Sequence, residues 1–356
     1  MNETQVVSQL QAMLAKSQEF DGHKADYINP AQIHHFNEDA RLTVQTQWMN
    51  SQVSVAPLEL TENALRQLCS KLAPSVFGKA SGKGLPFDYI QAIAPNLRAA
   101  LFNEHLTRAS GDWMVRAYDD KARAVLSGHY AAINNTELLD VLEQIVTSSS
   151  APSSMTKTSE VTPDTLNARI IFRDVTKTDR DGGSKGDWGV GVYIGNGETG
   201  NRRLRVLPLI QRHSCQNSII VDSGKGAVEF VHRGSVSTKR VLVRSAMAEV
   251  FPWAAKLLDK MIAAEEQFIP DFAEVLDGLA EQYHWDEETK IKVAMGTEGK
   301  ETRAGLVNGI TFAAKEQKDP DSIADMEILG GGILVAPDSV FSKAVRVARV
   351  YAEKER

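Results

Sequence analysis

From Asn167 to Val243 the chain reads as one extended segment after another: NARIIFRDVT, DWGVGVYIG, LRVLPLIQRHSC, SIIV, AVEFVHRG and RVLVR, separated by turns rich in Gly, Asn and Asp. Parallel pairing needs a crossover between strands, usually a helix, and none of that length interrupts the run. The stretch therefore predicts a largely antiparallel sheet. After Ser245 the pattern becomes helical, with AMAEVFPWAAKLLDKMIAAEEQF, DFAEVLDGLAEQY and further helical stretches to the C-terminus, where Gly330-Gly331-Gly332 reads as a late turn. The expected class is α+β: a mostly antiparallel central sheet flanked by helices, with a helical C-terminal region.

Five segments follow from this frame. Residues 1–56 are polar, with only Val6, Leu10 and Leu14 at helical spacing, and predict an N-terminal arm. Residues 57–146 predict helices around a β-hairpin. Within them Thr61 can cap a helix carrying Leu65, Leu68 and Leu72, a glycine-rich loop (GKASGKGLP) follows, and a second helix from Tyr89 to Arg108 is broken or kinked at Pro95. A third helix spans Thr136 to Val146. Residues 147–164, rich in Ser, Thr and Pro, predict a loop or linker. Residues 165–245 are the basic antiparallel sheet and 246–356 the acidic helical region.

The hairpin WMVRAYDDKARAVLSGHY is the clearest local structure. With Asp119-Asp120 as a two-residue turn, Trp113, Val115 and Ala117 lie opposite Leu126, Ala124 and Ala122 on an apolar face. The other face then sets Arg116 opposite Arg123, with Tyr118 beside Lys121. Like charges directly opposed on a sheet destabilise it, so either a carboxylate from elsewhere in the fold or an external phosphate must compensate.

Charge is unevenly distributed. Between Thr165 and Ser245 there are fourteen Lys and Arg against seven Asp and Glu, a balance of +7, so the rest of this −6 chain carries −13. A basic segment in an acidic protein is the electrostatic footprint of a polyanion site. Arg202, Arg203, Arg205 and Arg212, joined by Lys239, Arg240 and Arg244, suit phosphate contacts, and Trp188 and Tyr193 suit base stacking. A solvated sheet face paired to the acidic C-terminal helices is the competing explanation.

Catalytic signals are weaker. The string GNGETG, Gly195 to Gly200, satisfies G-x-G-x-x-G but is followed by NRRLRVLPLI, another strand, where a dinucleotide site needs a helix. It reads as a hairpin turn. His213 and Cys215 share one side of a strand and could act as base and nucleophile, or with His232 as metal ligands, though no accompanying motif supports either. His34, His35 and His105 lack partners at ligand spacing, and Asp119, Asp120, Asp179, Asp181 and Asp187 fall in predicted turns. No cofactor and no metal is expected. Only Cys69 and Cys215 occur, so reduced thiols are expected in place of a disulfide scaffold. No apolar run approaches the roughly 18 to 20 residues of a membrane span, and the N-terminus lacks the order of a secretory signal, so a cytoplasmic location is expected.

Several of these strings together resemble the phage and plasmid family known as domain of unknown function 932. Arg116, Arg123, Leu126, Ser127 and Tyr130 fall in the order of its arginine-rich opening, and Asn196-Gly197-Glu198-Thr199-Gly200 stands for its Asn-Ser-Glu-x-Gly turn. Arg212, Cys215 and Asn217 meet its R-x-x-C-x-N element, and His232-Arg233-Gly234 and GLVNGITFAA complete the series. Gly197 replaces the usual serine, and Ser218 stands where glycine usually follows the asparagine. The resemblance implies a mobile-element context and lends no catalytic residue. Its α+β layout is loosely similar to that of ring-forming single-strand annealing proteins of the Rad52 superfamily.

The expectation is a non-enzymatic nucleic-acid-binding protein, oligomeric, that holds single-stranded DNA along an arginine-lined sheet, with Arg116, Lys121 and Arg123 contributing, and supports annealing in recombination. Two alternatives stand beside it: a cysteine-dependent hydrolase or nuclease, and a counter-defence factor whose basic sheet meets an acidic host protein.

Overall fold

Helix α1 (Glu3–Gly22) opens the chain in the computed structural model, which describes residues 3–27, 32–48, 51–54, 57–72, 85–106, 113–148, 153–156, 158–178, 187–213, 216–222, 227–233 and 236–354. Val6, Leu10 and Met13 recur along it at three- to four-residue spacing and are buried. The polar arm expected of residues 1–56 is thus a folded helix with a narrow apolar stripe, followed by strands β1 (Lys24–Tyr27), β2 (Gln32–Phe36), β3 (Leu42–Trp48) and β4 (Ser51–Ser54). Strands β2, β3 and β4 form a small antiparallel sheet.

After β5 (Glu59–Leu60) comes α2 (Glu62–Leu72), whose Thr61 hydroxyl accepts from the Ala64 amide at 3.3 Å and whose Leu65, Leu68 and Leu72 are buried, as their spacing predicts. Most of the glycine-rich loop lies in residues 73–84, outside the described residues. The expected kinked helix is two helices, α3 (Phe87–Ala92) and α4 (Pro95–Leu106), because Pro95 takes the first position of a new helix, where its missing N–H costs nothing.

Strands β6 (Trp113–Tyr118) and β7 (Lys121–Ser127) form the expected hairpin around Asp119-Asp120, and the four-stranded sheet they belong to has the order β1-β6-β7-β5, with β5 parallel to β7. One feature differs. A bulge sets Arg116 opposite Ala124 and Ala117 opposite Ala122, leaving Arg123 as the unpaired residue. Val115, Ala117, Ala122 and Val125 therefore share one core, while Met114, Ala124 and Leu126 cluster on the other face.

Helix α5 (Asn135–Ser148) matches its periodicity. The Ser/Thr/Pro segment that follows is no divider between domains, because β8 (Ser153–Met155) and β9 (Glu160–Val161) both pair with β10 (Thr165–Thr178). Strands β11 (Asp187–Gly197), β12 (Leu204–Arg212), β13 (Ser218–Ile220) and β14 (Val228–Phe230) complete an antiparallel sheet of order β13-β12-β11-β10-β8, with β14 on β12 and β9 on β10. The last expected strand, RVLVR, is instead part of helix α6 (Val236–Ala264), along which Val243, Ala246 and Val250 are buried at three- and four-residue steps.

Helices α7 (Phe272–Tyr283), α8 (Glu287–Gly296), α9 (Arg303–Ala314), α10 (Pro320–Val335) and α11 (Ser339–Lys354) follow. The three glycines Gly330 to Gly332 lie inside α10 and make no turn. A Cβ on Gly331 would stand 1.9 Å from the Ile220 carbonyl oxygen, so its bare backbone is what lets α10 lie against β13. One face of the large sheet carries Trp188, Val190, Val192 and Ile194 into cores shared with α1, α5, α6, α7 and α9. The other carries Ile171, Tyr193 and Leu209 against Ala324 and Ile328 of α10. No single helix among the described residues is long and apolar enough to cross a membrane.

Candidate functional site

The turn between β11 and β12 places one carboxylate where three cations converge. Glu198 is fully buried, and its side chain lies 2.9 Å from Lys24, 3.4 Å from Arg123 and 3.8 Å from Arg116. It also accepts the backbone N–H of Asn135, the first residue of α5, at 2.7 Å. Burying ions costs several kcal/mol each unless they are paired and hydrogen-bonded. Both conditions are met. Arg116 donates to Asp26 at 2.8 Å, to the Glu198 carbonyl at 2.8 Å and to Asn134 at 2.7 Å, while Arg123 donates to Asp164 at 2.7 Å and to the Pro163 carbonyl. Burial alone would lower the Arg116 pKa, but Asp26 and Glu198 outweigh it and hold the guanidinium above its ordinary value. The compensation that the hairpin demands comes from internal carboxylates, and the bulge at Arg123 is the backbone adjustment that lets both arginines reach them.

The remaining cations are distributed over several surfaces. Arg202 pairs with Asp321 at 3.1 Å and Asp325 at 3.4 Å, while Arg203 and Arg205 share Glu229 at 3.0 and 2.7 Å. Arg212 is buried, 5.7 Å above the Trp188 ring. Lys121 is exposed at the hairpin tip, and Arg244 is exposed on α6, where it bonds Gln144. Lys239 and Arg240 also lie on α6 and not on the sheet, with side chains outside the described set. Trp188 is 0% and Tyr193 1% exposed, so neither ring is open to a base. Tyr193 donates instead to Asn167 at 2.7 Å, and burial pushes its phenol up to about 12. An arginine-lined open sheet requires one uncovered face, and here helices pack on both.

What the fold does assemble is a depression of about 390 Å³ beside the Glu198 turn, walled by the end of β7, the β11–β12 turn and the segment after β14. The Tyr130 ring stacks on His232, centroids 4.9 Å apart and 8° from parallel. The Tyr130 hydroxyl donates toward the carbonyls of Gly197 and Glu198, both at 3.2 Å, which ties this stack to the buried charge cluster. Burial, with Glu198 nearby, holds the Tyr130 phenol well above its ordinary pKa despite Arg116. An isolated bridge pairs Tyr130 with Arg233, and the Ala131 amide donates to the His232 carbonyl at 3.0 Å. Arg203, 61% exposed, Arg233 and His129 stand at the rim. Gly200 is constrained twice here: its φ is +75°, and a Cβ would approach Leu126 to 2.7 Å.

The residues that line this hollow come from three stretches: 126–130, 200–203 and 231–233. Leu126, Ser127, Tyr130, Gly200, His232 and Arg233 are members of the ordered strings quoted for the family resemblance, and folding brings them together. His129 and Val231 had no sequence signal beyond adjacency. Among the described residues, the other candidates are not brought together. His213 follows the end of β12, Cys215 lies outside the described residues, His34 and His35 are in β2, and His105 is buried on α4. Asp179 and Asp181 also lie outside the described residues. Among the described residues, no group of three or more His, Cys, Asp or Glu could hold a metal ion. No family model, curated protein or solved structure matches the chain.

Proposed function

We propose that this protein binds nucleic acid, single-stranded DNA in the first instance, at the depression between the β6–β7 hairpin, the β11–β12 turn and the Val231–Arg233 segment. The observation that carries this reading is the meeting of Arg203, Arg233 and His129 around the half-buried ring of Tyr130, which stacks on the buried His232. Arg203 and Arg205 share the single carboxylate of Glu229, so one positive charge of that group is left over. Arg233 is exposed and has no ion pair with a described residue. Guanidinium groups spaced around a ring floor are suited to phosphates flanking an unstacked base. The contact is local and replaces the sheet-wide track that composition alone suggested.

The test is a fluorescent oligonucleotide titrated at two salt concentrations with the parent chain and with Arg203→Ala and Arg233→Ala. Phosphate contacts predict affinity that falls as salt rises, and each variant lowers the salt slope by about 1. No binding at low salt, or binding that both variants leave untouched, refutes the reading.

A further inference from the structure

The C-terminal helices carry two complementary surfaces at opposite ends of α7. Helix α11 runs back along α7: its Ala344 carbonyl fits against Gly278, where a Cβ would come within 1.9 Å, and Arg349 then bonds Glu274 at 2.8 Å and approaches Asp271 at 4.0 Å. Its last turns therefore reach the N-terminal end of α7. There Val350 is 49% and Tyr351 42% exposed, and Lys343, Arg346 and Val350 follow one another at three- and four-residue steps on an exposed stripe. The stripe is cationic with an apolar end.

At the C-terminal end of α7, about 18 Å away along its twelve residues, lies a groove of about 730 Å³. Its floor is apolar, with Met326 and Leu329 of α10 beside Tyr283 and Trp285, whose rings lie 6.3 Å apart. Its rim is acidic, supplied by Asp222 and Asp286, with Asp325 beside them already paired to Arg202 at 3.4 Å. A Cβ on Gly332, which also lines it, would meet nothing within 4 Å, so the groove is open at that point.

We propose that the groove receives the exposed stripe of α11 from a second copy of this chain. Arg346 and Lys343 would meet the acidic rim, and Val350 the apolar floor. One surface is the complement of the other, and neither is its own complement, so each contact joins the stripe of one copy to the groove of another. Two copies either exchange such contacts reciprocally as a two-fold dimer, or leave a free stripe and a free groove on every pair and extend into a ring or an open filament. The inference stands apart from the nucleic-acid reading and is tested without nucleic acid.

Sedimentation velocity of the full chain over a hundredfold concentration range is the experiment, run with Val350→Asp and Asp222→Lys, both at exposed positions. The parent should assemble to a dimer or beyond as concentration rises and fall back as salt is added. Each variant alone should stay monomeric, because each has lost one of the two surfaces. Mixed in equal amounts they should give a dimer that grows no further, which also shows that both are folded. A parent that is monomeric throughout, single variants that still assemble as the parent does, or a mixture that stays monomeric would each overturn the proposal.

Discussion

The Lys24 ammonium stands 2.9 Å from the Glu198 carboxylate, joining the first strand to a turn 174 residues later through a buried charge. Arg116 and Arg123 complete the cluster from the two strands of the hairpin. The four-stranded sheet and the large sheet are thereby pinned at the base of the proposed binding site.

Removing that carboxylate leaves cations buried without their common partner. Glu198→Gln should lower stability by about 3–5 kcal/mol, the usual cost of breaking a buried ion cluster from one side. Urea unfolding measures it. A loss below about 1 kcal/mol, the level of a surface pair, would mean that the cluster is open to water.

Glu327 predicts a pH effect of definite sign. Burial raises its pKa above the ordinary 4.5 against the opposing influence of Arg169, which donates to it at 2.7 Å. The folded state therefore keeps this proton to higher pH than the unfolded state does. The stability it contributes is complete below 4.5 and is lost as pH rises through the raised value. Unfolding of the parent and of Glu327→Gln across pH 4 to 8 should show the variant gaining relative to the parent as pH rises. A difference that is flat with pH, or that moves the other way, contradicts the assignment.

Two neighbouring glycines should behave oppositely. Gly331→Ala drives a methyl group into the Ile220 carbonyl and should cost about 1–3 kcal/mol, whereas Gly332→Ala meets open space and gains up to about 1 kcal/mol from helix propensity. Thermal melts of the two variants decide this, and equal effects would place α10 differently against β13.

Cys69 should be chemically silent. Burial pushes its thiol up to about 11, with Arg98 opposing only in part. In a Cys215→Ser background, a thiol reagent at pH 8 should label Cys69 at the rate of global unfolding, and rapid labelling of the folded protein would contradict its burial.

Much of the architecture was legible because local pattern and tertiary context agree. Leu65, Leu68 and Leu72 repeat at helical spacing, Asp119-Asp120 marks a turn, and the strands from Thr165 to Phe230 alternate between turn residues. The exceptions are cases where context prevailed. Val241, Leu242 and Val243 read as a strand, yet the positions of Val243, Ala246 and Val250 let the segment bury a stripe as helix α6. Gly331 reads as a turn residue, yet close packing requires it within α10. The site was legible only in pieces. Arg116 announced that it needed a partner, but Glu198 lies 82 residues away, and no local rule connects them. Trp188 and Tyr193 read as stacking platforms from their neighbourhood in sequence, which carries no information about the helices covering both sheet faces. Tyr130 and His232, 102 positions apart, needed the fold to become a stack.

The most direct measurement of the central claim is photocrosslinking of a 5-iodouracil oligonucleotide to the full chain, with adducts mapped by mass spectrometry. The account predicts adducts within residues 126–130, 200–203 and 231–233, foremost at Tyr130. Adducts confined to other segments, or none under conditions where the oligonucleotide is bound, would contradict it.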